Sequence, residues 1–155
     1  MPWLLKIRVD RPDADFTSML DEGPAVSERT EWGTVGVGAN YRAAGDVRAF
    51  SDGLVRVGDL VLVRERQTAA RVYFVALLRI ERIDHVGGDY TPWYEAVERF
   101  DGSPTLDQLK VADPAIAALP HFQKNAKGMM LRAFTPLTDA ELDTILTALR
   151  ASRPA

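Results

Sequence analysis

The sequence predicts an α+β fold: a strongly curved mixed β-sheet or pseudo-barrel with short flanking helices and a C-terminal packing helix. Three observations carry this. Apolar runs rich in valine, leucine, isoleucine and aromatic residues recur at 4–9, 60–65, 71–83 and 93–100, which is strand composition. Helical signals between them are few and short, too few for repeated βαβ crossovers. Only the ending carries a clean helical stripe. With 155 residues, residues 1–155 are read as a single domain around one hydrophobic core.

LLKIRV at 4–9 reads as the first strand, and a short helical candidate follows at Asp15–Leu20. Glycines and charges fill 21–45. Val55-Arg56-Val57-Gly58-Asp59 turns the chain into the strand LVLVRE at 60–65. RVYFVALLRIERI at 71–83 is too apolar for simple alternation, so part of it should be buried on both faces. The stretch 85–92 reads as a loop with Gly87-Gly88 at a hairpin turn, and WYEAVERF at 93–100 as the returning strand. Ser103 before Pro104 and Asp113 before Pro114 each read as a helix N-cap followed by proline at the first helical position. GMMLRAF at 128–134 is a further strand candidate. Thr138 and Glu141 form a capping box. Leu142, Ile145, Leu146 and Leu149 then follow at i, i+3, i+4 and i+7, an apolar stripe made to pack against a sheet.

Composition removes several classes of function. The chain has no cysteine, hence no disulfide, thiolate nucleophile or cysteine metal site. Its two histidines, His85 and His121, belong to no metal-spacing motif, and zinc needs three or four protein ligands. No metal or other cofactor is expected. No apolar run approaches the roughly 18 residues of a membrane helix, and the amino-terminal stretch lacks a signal-peptide pattern. A cytoplasmic protein with no membrane partner is therefore expected. The net charge of −3 argues against a strongly basic coat. Its distribution is uneven, because residues 41–82 hold eight arginines against five acids, and arginine suits bidentate phosphate contact and stacking on bases.

EWGTVGVGANYRAAG at 31–45 is the stretch richest in functional residue types. It is neither a P-loop nor a dinucleotide-binding glycine pattern, and the chain has no nucleophile elbow or HExxH pair. The glycines can serve a plain tight loop. They can also let backbone approach a flat ligand, here with Trp32, Asn40, Tyr41 and Arg42 around them. Tryptophan and tyrosine can stack on a ring, asparagine can meet a base edge and arginine can hold a phosphate. No pair of carboxylates is placed for acid–base work, so no enzyme is expected.

In order along the chain, Trp3-Leu4-Leu5-Lys6, then Trp32, Gly33, Val37, Asn40 and Tyr41, then Val57-Gly58-Asp59-Leu60-Val61-Leu62 resemble the EVE domain, a PUA-like fold related to the YTH readers of methylated adenine. Leu106-Asp107-Gln108-Leu109-Lys110, Leu119-Pro120-His121-Phe122-Gln123-Lys124 and Phe134-Thr135-Pro136-Leu137-Thr138 extend the resemblance to the end. Three departures mark a divergent member. Gly38-Ala39 stand before Asn40-Tyr41 where the family carries an arginine. Val63-Arg64-Glu65-Arg66 replace a tyrosine and His-Ser. Asn125-Ala126-Lys127-Gly128-Met129 replace a Ser-Arg-Leu signature. The resemblance implies a reader: DNA or RNA carrying a modified, methylated base as partner, with the base held in an aromatic pocket. Ligand-binding candidates are Trp32, Gly38, Asn40, Tyr41 and Trp93, and backbone-contact candidates are Arg42, Arg48, Lys124 and Lys127. The alternative is a protein-interaction or regulatory domain of the same fold that binds no nucleic acid. The sequence names no protein partner.

Overall fold

The computed structural model describes residues 2–8, 29–31, 49–50, 52–87, 89–100, 104–122 and 134–152. Six strands form one sheet: β1 (Trp3–Arg8), β2 (Arg29–Glu31), β3 (Leu60–Thr68), β4 (Arg71–Val86), β5 (Asp89–Arg99) and β6 (Phe134–Pro136). Three helices follow β5 or β6: α1 (Leu106–Ala112), α2 (Pro114–Ala117) and α3 (Asp139–Ala151). A 3-10 turn lies at Pro120–Phe122. The strand order is β2-β5-β4-β3-β1-β6. The β1–β3 pair is parallel and the other pairs are antiparallel, so the sheet is mixed, as expected.

The expected strong curvature or pseudo-barrel closure is not observed. The strand order is linear and open, with three-residue strands β2 and β6 at opposite ends. The reason lies in where the apolar side chains go. A barrel gathers them in one interior, whereas this sheet buries them on both faces. Trp3, Leu5, Ile7, Val61, Val63, Val75, Leu78, Ile80, Tyr94 and Phe134 form a core on one face, joined by Phe50 and Val55. Leu4, Leu62, Phe74 and Leu77 form another with Leu109, Ile116, Phe122, Leu142, Ile145 and Leu149. The second face is the helix face, and the first is here the aromatic face.

The long central strand and the hairpin turn are as predicted, but the strands run further. β4 extends to Val86 and β5 begins at Asp89, so most of the predicted 85–92 loop is ladder. Only Gly87 and Gly88 lie between the strands, and Gly87 has φ 64°, the sense that two-residue hairpin turns require. β2 was not predicted. The candidate helix at Asp15–Leu20 lies outside the described residues, as does 128–133, and β6 overlaps that strand candidate only at Phe134.

Helix starts follow their side chains. The first helix is capped by Thr105, not Ser103: the Thr105 hydroxyl accepts from the Gln108 N–H at 3.2 Å and Gln108 Oε1 accepts from the Thr105 N–H at 3.0 Å. A reciprocal capping box holds the start more firmly than a serine before proline can. Asp113 caps α2 with Pro114 at its start, as expected. Thr138 and Glu141 form the expected box on α3, at 3.1 and 2.8 Å. The stripe residues Leu142, Ile145, Leu146 and Leu149 are all buried. The Ile145→Ala variant should therefore lose about 2–5 kcal/mol in urea denaturation. Thr138→Ala should lose only about 1 kcal/mol.

Tyr94 is fully buried on the aromatic face, and burial holds its phenol pKa well above the ordinary 10.0. The folded state thus keeps its proton where the unfolded state loses it. Its contribution is present below the unfolded pKa of about 10 and is lost as pH rises beyond it. Denaturation midpoints should fall above about pH 10 in the wild type and less steeply in Tyr94→Phe.

Candidate functional site

Residues 32–48 and 123–133 carry most of the predicted site, and the described elements fix where both stretches begin and end. The first leaves β2 at Glu31, the register partner of Trp93, and returns at Ala49 and Phe50. The second leaves at Phe122 and returns at Phe134. The rings of Phe50 and Phe134 meet edge to face, 5.3 Å between centroids and 89° between planes. Both stretches therefore rejoin the described chain at one point of the aromatic face. Trp32, Gly38, Asn40, Tyr41, Arg42, Arg48, Lys124 and Lys127 themselves lie outside the described residues.

An aromatic column rises from that point. Phe50 stacks on Tyr90 at 5.5 Å and 29°, and Tyr90 stacks on His85 at 4.1 Å and 12°. The last contact follows from register, since His85 and Tyr90 sit directly opposite on β4 and β5. Phe50 is buried, Tyr90 half-buried and His85 exposed, so the column runs from core to solvent. Such ring pairs add about 0.5–1.5 kcal/mol beyond their burial. Sequence reading missed the column because its members are far apart in the chain. The available signal was the glycine turn, which fixes the hairpin and so pairs His85 with Tyr90.

Trp93 is the ligand-binding candidate whose surroundings can be described. A register shift between Ile80 and Arg82 sets Arg82 opposite Trp93, and Arg82 stacks 4.5 Å over the indole. The indole N–H donates to Asp84 Oδ2 at 2.8 Å, and Arg82 Nε pairs with Asp84 Oδ1 at 3.0 Å. Alternation along β5 places Trp93 on the opposite face from Tyr94 and Tyr90. The structure thus sets Trp93 beside the start of 32–48, but not in the aromatic column.

At the other end of β1, Trp3 links two of the sequence motifs. Its indole N–H donates to Asp59 Oδ2 at 3.0 Å, and the same oxygen accepts from the Arg56 N–H at 2.9 Å. The Val-Gly-Asp turn preceding β3 is thereby tied to the first strand. Among the described residues no group of three or more His, Asp or Glu side chains could hold a metal ion.

No family model matches the sequence, and no curated protein does. Solved structures match the fold along nearly the whole chain. The DUF55 domain of human thymocyte nuclear protein 1 has a TM-score of 0.60 at 16% identity, covering 95% of this chain and 97% of its own. Human THYN1, solved in complex with 5-methylcytosine-containing DNA, has 0.59 at 15%, covering 98% of each chain. A structural-genomics protein from Pseudomonas putida has 0.59 at 19%, covering 96% and 99%. The chain has the fold of the DUF55 domain.

The Arg82–Asp84 pair is solvent-exposed, with 60% and 43% of the side-chain surfaces accessible. Exposed pairs contribute little to stability. Arg82→Ala should therefore shift stability by less than about 1 kcal/mol while uncovering one indole face. Acrylamide quenching of tryptophan fluorescence should rise in the variant.

Proposed function

We propose that this chain is a nucleic-acid-binding module that accepts a modified base, a divergent member of the EVE family that its sequence resembles. The observation that carries the reading is the fold, shared along nearly the full chain with human THYN1, which has been solved with 5-methylcytosine-containing DNA. Phe50 and Phe134, which follow 32–48 and 123–133 in the chain, meet edge to face, and this supports one composite site. In this reading Trp32 and Tyr41 hold the base between their rings, Asn40 meets its edge, and Gly38 lets the backbone approach. Trp93 borders the site where β2 ends. Arg42, Arg48, Lys124 and Lys127 hold the phosphates. Taking a base out of a duplex costs a few kcal/mol, and stacking on aromatic rings returns about 1–3 kcal/mol per base. The task is recognition, and no residue is assigned a catalytic role.

The test is direct binding of short DNA and RNA, single- and double-stranded, plain and carrying 5-methylcytosine or methylated adenine, at one fixed salt concentration. One modified oligonucleotide should bind more tightly than its plain counterpart. Trp32→Ala or Tyr41→Ala should remove about tenfold or more of its affinity, with the circular dichroism spectrum unchanged. Equal binding of plain and modified strands rejects the modified-base reading. Absence of all binding favours the alternative, a protein-interaction domain of this fold.

A further inference from the structure

The β4–β5 hairpin runs out beyond the rest of the sheet. β3 pairs with β4 no further than Leu60 opposite Arg79, and one more bond, from the Gly58 N–H to the Ile80 carbonyl at 2.7 Å, closes that side. β2 pairs with β5 only at Trp93, Tyr94 and Glu95. From Ile83 opposite Pro92 to Val86 opposite Asp89, the two strands therefore pair only with each other among the described residues. A two-stranded ribbon is marginally stable by itself, and side-chain pairs across it help to hold it.

His85 meets Tyr90 almost ring on ring, 12° from parallel and 4.1 Å between centroids. Tyr90 lies on the β5 side of His85, so the other imidazole face is turned to the side where β3 has ended. Among the described residues no ring or cation stacks on that second face, and His85 is exposed. Asp84, the acid next to it in the chain, lies on the opposite face of the strand and is paired with Arg82. The Tyr90 ring is held in turn by Phe50, so the imidazole is backed by two rings that lead into the core. An open ring with such backing is a surface on which an unpaired base can stack.

We propose that the His85–Tyr90 pair is a stacking platform for a plain, unpaired nucleobase that flanks the base read in the pocket. The inference rests on the nucleic-acid reading above and extends it from the read base to its neighbour. Phe134, Phe50, Tyr90 and His85 are joined by ring-to-ring steps of 5.3, 5.5 and 4.1 Å. Laid end to end, these steps span about four stacked nucleotides, at roughly 3.4 Å each along a strand. One short strand whose modified base enters near Phe50 and Phe134 therefore reaches the platform. Every base has a π-face, so the platform adds affinity without adding sequence choice. Specificity stays with the pocket.

The test is binding of short single strands, plain and modified, at one salt concentration by wild type, His85→Ala, His85→Trp and His85→Lys. His85→Ala should bind both strands about tenfold more weakly, by the same factor, because the flanking base is plain in each. His85→Trp, which keeps a flat ring, should retain the affinity. His85→Lys, which supplies a charge without a ring, should lose it as His85→Ala does. Unchanged affinity in His85→Ala overturns the proposal and leaves the pair a clamp of the hairpin. Loss of affinity in His85→Trp with an unchanged circular dichroism spectrum, or retention in His85→Lys, overturns it too, since either marks a contact other than stacking. So does a changed ratio of modified to plain affinity, because His85 would then touch the modified base. If wild type binds plain and modified strands equally, the modified-base reading fails and the same variants still decide the platform. If wild type binds no oligonucleotide, adenosine monophosphate is titrated instead, with the imidazole proton signals followed by NMR. The chain has two histidines, so His85→Gln identifies the His85 signal. A saturable upfield shift at His85 and not at His121 supports the platform, and no selective shift rejects it.

Discussion

Strands β1, β3 and β4 have to hide apolar side chains on both faces, and the surrounding elements are arranged to meet that demand. Trp3, Leu5 and Ile7 face one way while Leu4 faces the other. Val61 and Val63 alternate with Leu62 in the same manner. Each fully buried leucine, isoleucine or phenylalanine contributes about 1.5–3 kcal/mol, so neither face can be left to water. On one side α1, α2 and α3 supply Leu109, Ile116 and the Leu142–Leu149 stripe. On the other, Phe50 and Val55 approach, and Phe134 turns in from β6. A sheet filled on both sides gains nothing by curling into a barrel, and it ends in the two three-residue strands β2 and β6. Strands that short also present little unpaired backbone at the edges.

The same demand explains where polar groups can lie. Much of the interior of the ladder is committed to packing, so exposed polar and aromatic groups gather where strands run out of their cover. At one end the β4–β5 hairpin carries the His85–Tyr90 stack on one face and the Arg82–Trp93–Asp84 group on the other. At the far end β1 and β3 become basic on the helix face. In between, the Trp3–Asp59 hydrogen bond shows how a buried polar pair is tolerated: the indole and the Arg56 N–H both donate to one carboxylate oxygen, so the charge retains partners away from water.

Much of the fold was legible because its signals are local. Long β-rich apolar runs mark the central strands, two adjacent glycines mark the hairpin, and Thr138 with Glu141 marks the last helix. The errors come from choices that local sequence does not encode. Whether a sheet closes depends on which faces are covered, and a two-faced apolar strand reads alike in a barrel and in a packed open sheet. Arg29-Thr30-Glu31 has no strand pattern and becomes β2 because β5 offers it a ladder. Ser103 and Thr105 are both plausible caps, and Gln108 three residues after Thr105 decides between them. The candidate site was less legible. Residue type pointed to Trp93, yet its ring is stacked against Arg82, and pairing across strands assembled the Phe50–Tyr90–His85 column from residues that sequence reading had set in a loop or passed over.

Strand alternation also explains how the charges at the end of β3 coexist. Arg64, Glu65 and Arg66 are consecutive, and nearest neighbours of opposite sign could in principle neutralise one another. They do not share a face. Glu65 follows Val61 and Val63 onto the aromatic face, where it is wholly buried and accepts a hydrogen bond from Gln67 Nε2 at 2.9 Å. Arg64 and Arg66 follow Leu62 onto the other. The backbone of the sheet thus separates a hidden carboxylate from a cationic surface. Net charge alone does not describe this end of the sheet, because the pleat sorts opposite charges by face.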